Sequence, residues 1–210
     1  MVTFAEKSGY PTAEPFLPDH FSLTRLREAA AKCKGCDLYR HAKQTVFGEG
    51  PRTAQVMLVG EQPGFQEDAL GRPFVGASGK LLDKALEEAG IDRTKMYVTN
   101  VVKHYKWTSR NGRQANERAS SAQIEACRPW LDSEIALLKP KVIVCLGSTA
   151  AQALLGKAFR VTHQRGKFIP SELAPHVLAT VHPSSILRSP ARHEETKKFV
   201  ADLKQIAKVL

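Results

Sequence analysis

Short apolar runs alternate with amphipathic stretches along most of the chain. Runs typical of buried strands occupy residues 56–60, 96–99, 142–146 and 176–181. Apolar residues at helical spacing predict helices over residues 22–32, 78–90, 121–139 and 191–209. Because a strand, a loop and a helix follow one another four times, the pattern favours a parallel sheet covered by helices on both faces.

The segments outside this pattern lead to three further predictions. Residues 1–20 hold three prolines and little periodicity, which predicts an irregular N-terminal arm before a single domain at 21–210. Residues 159–169 predict a small hairpin. The basic segment 103–118 carries five Lys or Arg and one Glu, and predicts an exposed, mobile loop.

Polar residues stand at the ends of the predicted strands. Glu61, Asn100, Gly147 and His182 each follow or end an apolar run, and ligands bind beyond the carboxyl ends of parallel strands. A carboxylate, an amide and an imidazole at one edge suit a planar heteroaromatic guest, with Phe74 placed to stack on it. Each residue also has an ordinary interpretation, such as a helix cap, a turn or a core aromatic.

The charge and hydropathy of the chain restrict its partners. Its 31 Lys and Arg against 21 Asp and Glu give a net charge of +10, which favours a polyanion such as nucleic acid. Tyr105 and Trp107 within the basic segment point to the same partner, although a solvated loop is the simpler interpretation. No apolar stretch approaches a membrane span or a signal peptide, so we expect a soluble, cytoplasmic protein with no membrane partner.

Three of the four cysteines have the spacing of metal ligands. Cys33 and Cys36 form a C-x-x-C pair and Cys127 follows much later, while Cys145 lies in an apolar run that predicts a buried core thiol. His104 is the natural fourth ligand. On spacing alone, three cysteines and one histidine favour structural zinc over an iron-sulfur cluster.

Four ordered motifs resemble one enzyme family. They are Gly60-Glu61-Gln62-Pro63-Gly64, Arg72-Pro73-Phe74-Val75-Gly76, Asn100-Val101-Val102-Lys103 and His182-Pro183-Ser184-Ser185. Together they resemble the iron-sulfur uracil-DNA glycosylases of the family-four type, from about residue 33 to the C-terminus. Further segments resemble the family X branch more closely: Gln62, Lys103-His104, Ala126-Cys127-Arg128-Pro129-Trp130-Leu131 and the two serines after Pro183.

The resemblance implies a fold and a cofactor. The expected fold is a three-layer α/β/α sandwich around a four-stranded parallel sheet, the uracil-DNA glycosylase fold. The expected cofactor is a structural 4Fe-4S cluster held by Cys33, Cys36, His104 and Cys127, which replaces zinc as the first choice and leaves zinc as the alternative.

The resemblance also implies roles for individual residues. Glu61 orients or activates the nucleophile, Asn100 reads the edge of a flipped uracil, and His182 stabilises the departing anion. Phe74 stacks on the base, and Glu67 discourages the methyl group of thymine. The expected substrate-binding residues are Gly60, Gln62, Pro63, Gly64, Phe65, Glu67, Phe74, Ser184 and Ser185. The expected DNA-contacting residues are Arg110, Arg113, Asn116, Arg118 and Arg188.

Two departures from the family pattern bear on the mechanism. Family X carries a Lys-Arg-Arg-Ile-His loop whose histidine attacks the sugar, whereas residues 112–116 here end in Asn116 at that place. A carboxamide is a poor nucleophile, so water should attack. Phe65 stands where relatives usually have an acidic residue.

These departures decide the expected function. We expect a monomeric, monofunctional uracil-DNA glycosylase that acts with turnover on single- or double-stranded DNA. The alternatives are tight or covalent capture of uracil-DNA or abasic DNA, as in family X, and a glycosylase for another deaminated base.

Overall fold

The computed structural model describes residues 12–210, so most of the predicted N-terminal arm lies outside the described residues. The rest of the arm contains one 3-10 turn at Glu14–Phe16. Ala13 is buried, and its N–H donates to the carbonyl of Ala126 at 2.8 Å. Residues 12–20 therefore contact the rest of the chain, and a domain boundary near residue 21 stays a prediction.

Helices and strands alternate in the predicted order. The helices are α1 (Leu23–Ala30), α2 (Phe65–Leu70), α3 (Ala77–Glu88), α4 (Ser121–Leu138), α5 (Ser148–Leu155), α6 (Val161–Gln164), α7 (Pro183–Leu187) and α8 (Arg192–Lys204). The strands are β1 (Val56–Gly60), β2 (Met96–Asn100), β3 (Trp107–Arg110), β4 (Arg113–Asn116), β5 (Val142–Leu146), β6 (Phe168–Ile169) and β7 (His176–Thr180).

The main sheet has the strand order β2-β1-β5-β7-β6. The first four strands are parallel, as predicted, and β6 adds a short antiparallel fifth strand at the edge of β7. The hairpin predicted for residues 159–169 is wrong, because the first part of that segment forms α6. β6 pairs instead with β7, whose outer edge would otherwise have unpaired backbone groups.

Apolar side chains on the two faces of the sheet form two separate core clusters. On β1, Met57 and Val59 belong to one cluster together with Trp130 of α4. Leu58 belongs to the other, together with Leu82 of α3 and Phe199 of α8. The alternation along a strand sends successive side chains to opposite faces, so helices cover both sides. The predicted three-layer α/β/α class is confirmed.

Capping hydrogen bonds from nearby side chains define where two of the helices begin. The Ser22 hydroxyl accepts from the Arg25 N–H at 3.2 Å and caps α1, as predicted. The predicted Ser121 cap of α4 is one residue too late. Ser120 is the cap, because its hydroxyl accepts the Gln123 N–H while the Gln123 side chain accepts the Ser120 N–H.

The basic segment 103–118 is not one exposed loop. Lys103, His104 and Tyr105 are buried, and the following residues form the hairpin β3–β4, which turns through Asn111 and Gly112 at positive φ. The prediction of exposure is wrong for the first three residues. Lys103 can be buried because the Glu134 carboxylate of α4 neutralises it. The local sequence does not reveal this contact.

No helix within residues 12–210 is both long and apolar enough to cross a lipid bilayer.

Candidate active site

A cavity of about 1000 Å³ opens at the carboxyl ends of the parallel strands. Glu61, Asn100, Gly147 and His182 all line it, so the structure brings together the four strand-end residues that the sequence pointed to. The parallel order β2-β1-β5-β7 is what makes this possible, because it places all four strand ends at one edge.

The absence of a side chain at Gly60 leaves room for the residues at the bottom of the cavity. A Cβ atom there would clash with Oδ1 of Asn100 and lie 2.6 Å from Cζ of Phe74. Phe74 is only 5% exposed, so its ring is buried. Its backbone adopts φ +54°, and α3 packs closely on it at Gly79, where a Cβ atom would overlap the Phe74 carbonyl.

Asn100 presents an unused acceptor to this space. Its side chain is 2% exposed, and Oδ1 has no hydrogen-bond partner among the described residues. Leaving a buried acceptor unpaired costs about 1–3 kcal/mol. A ligand that donates an N–H to Oδ1 would recover this cost.

His182 is held in one tautomer by its own helix. It caps α7, and its Nδ1 accepts the Ser184 N–H at 3.1 Å and lies 2.8 Å from the Ser184 hydroxyl. The proton of the neutral ring therefore belongs on Nε2. Burial, followed by the charge of Arg188, lowers the pKa of His182 to about 4, so the ring is neutral at neutral pH.

The backbone around His182 is shaped by a glycine. Gly147 has φ +96°, and a Cβ atom there would lie 2.8 Å from the His182 Cβ. The His182 and Phe74 ring centroids are 5.9 Å apart at an interplanar angle of 35°. A flat ligand stacked on Phe74 would thus have the imidazole nearby.

Glu61 is fixed by a residue that the sequence did not indicate. Its Oε2 accepts from the Thr149 hydroxyl at 2.6 Å, and the same hydroxyl accepts from Nε of Arg118 at 3.0 Å. Thr149 is the second residue of α5, two positions after Gly147. No local pattern connects it to a carboxylate 88 positions away.

Gln62 binds protein backbone from its position on the cavity wall. Its Nε2 donates to the Glu117 carbonyl at 2.8 Å, and its Oε1 accepts from the Lys106 N–H at 3.2 Å. The side chain thus joins the two ends of the β3–β4 hairpin. Gly64 also lines the cavity, and Pro63 is buried.

Glu67 connects two loops of the cavity wall. Its carboxylate accepts the Gly64 N–H at 3.1 Å and the Gly76 N–H at 2.8 Å, and the residue is buried. Phe65 is 54% exposed at the start of α2, with Nζ of Lys43 5.5 Å from its ring centroid. An exposed aromatic beside a cation therefore stands at the mouth of the cavity.

The predicted DNA-contacting residues lie around the same opening. Arg110, Asn116, Arg118 and Arg188 line the cavity, and Arg113 pairs in register with Arg110 at the hairpin turn. Ser184 and Ser185, predicted to bind substrate, also line it; the Ser185 hydroxyl donates to the His182 carbonyl. Oδ1 of Asn116 accepts from the Tyr105 hydroxyl at 2.7 Å.

The predicted cysteine ligands lie in or against the core cluster that contains Trp130. Sγ of Cys33 accepts from Nε1 of Trp130 at 3.3 Å, and Sγ of Cys127 accepts from the Lys103 N–H at 3.3 Å. Burial raises the pKa of the Cys127 thiol to about 12, and Cys36 and Cys33 add to this effect electrostatically. Nε2 of His104 hydrogen-bonds the Thr45 hydroxyl at 2.9 Å.

This donor set fits a thiophilic metal in its chemistry. Three cysteine sulfur atoms and one imidazole are ligand types that bind iron or zinc. No group of three or more His, Cys, Asp or Glu within residues 12–210 is gathered closely enough to hold a metal ion. Cys145 is a fully buried thiol on β5, as predicted.

Comparisons with known proteins point in one direction. The model of the Uracil DNA glycosylase superfamily matches residues 47–204. The Type-4 uracil-DNA glycosylase of Pyrobaculum aerophilum is 38% identical over 187 residues, covering 85% of this chain and 91% of the relative. That of Sulfurisphaera tokodaii is 36% identical over 194 residues, covering 89% and 85%.

A more distant relative extends the comparison. The Type-5 uracil-DNA glycosylase of Pyrobaculum aerophilum is 27% identical over 154 residues, covering 65% of this chain and 64% of the relative. The family match includes all seven strands and the whole cavity edge from Glu61 to His182. On that match and on relatives above 30% identity across most of their length, the chain belongs to the uracil-DNA glycosylase superfamily.

Proposed function

We propose that this chain hydrolyses the N-glycosidic bond of deoxyuridine in DNA, releases uracil and leaves an abasic site. The observation that carries the proposal is the buried Oδ1 of Asn100, which has no partner among the described residues and lies where Gly60 leaves room beside Phe74. This acceptor suits the N3–H of a flipped uracil stacked on Phe74. Relatives named Type-4 uracil-DNA glycosylases support the same reaction.

His182 serves the leaving group in this proposal. Its neutral ring carries the proton on Nε2, since Nδ1 accepts from the Ser184 N–H. When the C1′–N1 bond breaks, its electron pair passes into the uracil ring and places negative charge on O2. The Nε2–H of His182 donates a hydrogen bond to that oxygen and lowers the barrier, as an oxyanion site does.

Glu61 serves the nucleophile. A water oxygen forms the new bond to C1′, which has oxocarbenium character as the C1′–N1 bond breaks. The proton of that water passes to the Glu61 carboxylate, which acts as general base. The released uracil anion takes up a proton from solvent and Glu61 returns its proton to solvent. The products are uracil and an abasic sugar that carries the water-derived hydroxyl.

Turnover is proposed because Asn116 offers no nucleophile. A carboxamide nitrogen has a delocalised lone pair, and Oδ1 of Asn116 already accepts from the Tyr105 hydroxyl. The likeness to family X is therefore proposed to lie in the motifs and not in covalent capture.

The mouth of the cavity is proposed to hold the DNA strand. Phe65 would stack on a base next to the uracil, with Lys43 close to a phosphate. Arg110 and Arg188 would neutralise further phosphates. The substrate is single- or double-stranded DNA and the protein a monomer. A cytoplasmic location and the role of Glu67 against the thymine methyl group stay predictions from the sequence.

We further propose that Cys33, Cys36, His104 and Cys127 hold a 4Fe-4S cluster. Bound there, the cluster would cross-link the end of α1, the segment after β2 and helix α4. The side chains of this region already connect these elements, since the Gln123 amide of α4 donates to Asp37 beside Cys36 at 2.9 Å. Purified protein should absorb at about 400 nm, and Cys127→Ala should remove that band and lower the melting temperature. Colourless protein with stoichiometric zinc would contradict the proposal.

The proposed activity is tested with a single-stranded oligonucleotide that contains one uracil. With DNA in tenfold excess over protein, alkali should reveal more than one abasic site per protein molecule. Asn100→Ala should lower kcat/KM by roughly 100-fold, whereas Thr196→Val, on a face of α8 remote from the cavity, should leave it unchanged. Absence of abasic product would overturn the proposal.

A denaturing gel of the same reaction separates turnover from capture. Free protein beside cleaved DNA is the expected result. A protein–DNA band that survives heat and detergent would show covalent capture instead. Excision of hypoxanthine or xanthine without excision of uracil would assign the chain to another deaminated base.

A further inference from the structure

We propose that Thr149 and Arg118 position the carboxylate of Glu61 for attack by water, as a relay in which the guanidinium binds the hydroxyl and the hydroxyl binds the carboxylate. This inference rests on the proposed glycosylase function and deepens it. It gives Arg118 a role besides the predicted contact with DNA, and it adds Thr149 to the residues of the reaction.

The direction of the two hydrogen bonds is fixed by the chemistry of the groups. Nε of Arg118 can only donate, so the Thr149 oxygen accepts at 3.0 Å. The single hydroxyl proton of Thr149 is then free to be donated to Oε2 of Glu61 at 2.6 Å. Oε2 of Glu61 is therefore the acceptor at the end of the relay.

The relay is anchored on helix α5. Thr149 is 4% exposed, so its hydroxyl has little access to competing water. Arg118 also reaches Gln152, one turn further along the same helix, through an Nη2–Oε1 contact of 3.4 Å. Two polar side chains on one face of α5 thus hold the guanidinium, and through Thr149 they hold the end of β1.

The two carboxylate oxygens of Glu61 therefore have different hydrogen-bond partners. Oε2 is committed to Thr149, and Oε1 accepts no hydrogen bond from the groups that the structure describes. Glu61 lines the cavity and is half-buried. One oxygen is thus tied to the protein, and the other is left to orient the water and receive its proton.

The geometry favours general-base chemistry. The Thr149 hydroxyl holds the Glu61 carboxylate in place, and Arg118 holds that hydroxyl. Loss of the hydroxyl should therefore slow the chemical step and leave DNA binding unchanged, whereas a purely structural defect would impair both.

Thr149→Val tests the relay, because valine has nearly the shape of threonine and lacks the hydroxyl. The measurements are the single-turnover rate of uracil excision and the Kd for a non-cleavable 2′-fluorodeoxyuridine oligonucleotide. We expect a roughly 10- to 100-fold lower rate with an unchanged Kd. Thr149→Ser should restore most of the rate, since serine keeps the hydroxyl.

Arg118→Gln is the second variant, at an exposed residue whose replacement leaves the core intact. It should also lower the single-turnover rate, by a smaller factor than Thr149→Val. In the double variant with Thr149→Val, it should add little, because both changes act through one chain of hydrogen bonds. Binding of a non-cleavable 2′-fluorodeoxyuridine oligonucleotide reports separately on the DNA contacts of Arg118.

Three results would overturn the relay: the wild-type rate in Thr149→Val, a Kd that rises by as much as the rate falls, or an equal loss in Thr149→Ser. Thr196→Val removes a hydroxyl on α8 and controls for general effects of the change. If the unaltered chain does not excise uracil, the proposed function fails. If it does and Thr149→Val matches it, only the relay fails.

Discussion

At the scale of single residues, Gly60 determines the shape of the base pocket. It is the last residue of β1, and a Cβ atom there would overlap Oδ1 of Asn100 and approach the ring of Phe74. The sequence placed it at the end of an apolar run and at the start of a family motif. The structure shows that its missing side chain is what lets an amide and an aromatic ring lie side by side.

Gly60→Ala should therefore lower kcat/KM for uracil excision by roughly 100-fold and destabilise the protein by about 1–3 kcal/mol through overpacking. Steady-state kinetics and urea denaturation measure the two effects. In an Asn100→Ala background the same change should cost less stability, because one of the overlapping atoms is gone. Wild-type kcat/KM in Gly60→Ala would contradict the prediction.

His182 gives a prediction for pH. Its pKa is lowered to about 4 by burial, with a smaller effect of Arg188, against 6.5 for the free side chain. The ring should stay neutral from pH 8 down to about pH 5, so the His182 Cε1 proton should show no NMR titration in that range. The spectrum of His182→Asn identifies the signal, and a midpoint near pH 6.5 would show that the ring is not desolvated.

The lowered pKa of His182 also predicts how the stability of the protein depends on pH. Between pH 6.5 and about pH 4 the unfolded chain binds a proton at this residue that the folded chain does not. Stability should therefore fall as the pH decreases through this window, and His182→Asn should remove that part of the pH dependence.

At the scale of elements, a buried ion pair joins β2 to α4. Lys103 is 1% exposed, and its Nζ lies 2.5 Å from Glu134 and donates to the Asn100 carbonyl at 2.8 Å. Glu134 also accepts from the Tyr97 hydroxyl and the Gly48 N–H. This network fixes the strand end that carries Asn100.

Glu134→Gln should destabilise the protein by about 3–5 kcal/mol, because it leaves the Lys103 ammonium buried without its counter-charge. Asp132→Asn is the matched control. It breaks the Arg128–Asp132 pair on the same helix, where both side chains are about one-third exposed, and should cost less than about 1 kcal/mol. Urea denaturation at neutral pH measures both, and equal losses would contradict the prediction.

At the scale of the whole molecule, the charge of +10 and the arginines at the cavity mouth should make DNA binding depend on salt. Arg110→Gln and Arg188→Gln should each reduce the slope of log Kd against log salt by about 1 for a uracil-containing strand. Arg192→Gln, on α8 and outside the cavity wall, should leave the slope unchanged. A slope that depends equally on all three residues would show that net charge alone drives binding.

The order of elements could be predicted from the sequence for a physical reason. A run of five apolar residues between turn residues has few alternatives to a buried strand, and helical spacing leaves one face to cover it. The parallel order then requires Glu61, Asn100 and His182 to meet at one edge. The predictions were wrong where strand pairing is short, as in residues 159–169. They were also wrong where the helix cap lies one residue earlier than predicted, as at Ser120.

The sequence by itself thus determined the α/β class and the edge of the sheet that holds the candidate site. Only the tertiary structure decided that Lys103 is buried, that Phe74 lies under the cavity, that Asn100 keeps an unpaired acceptor and that Thr149 holds Glu61. The reason is that periodicity reports the environment of a residue relative to its own element. A hydrogen bond between side chains 88 positions apart depends on how elements pack, which no local pattern encodes.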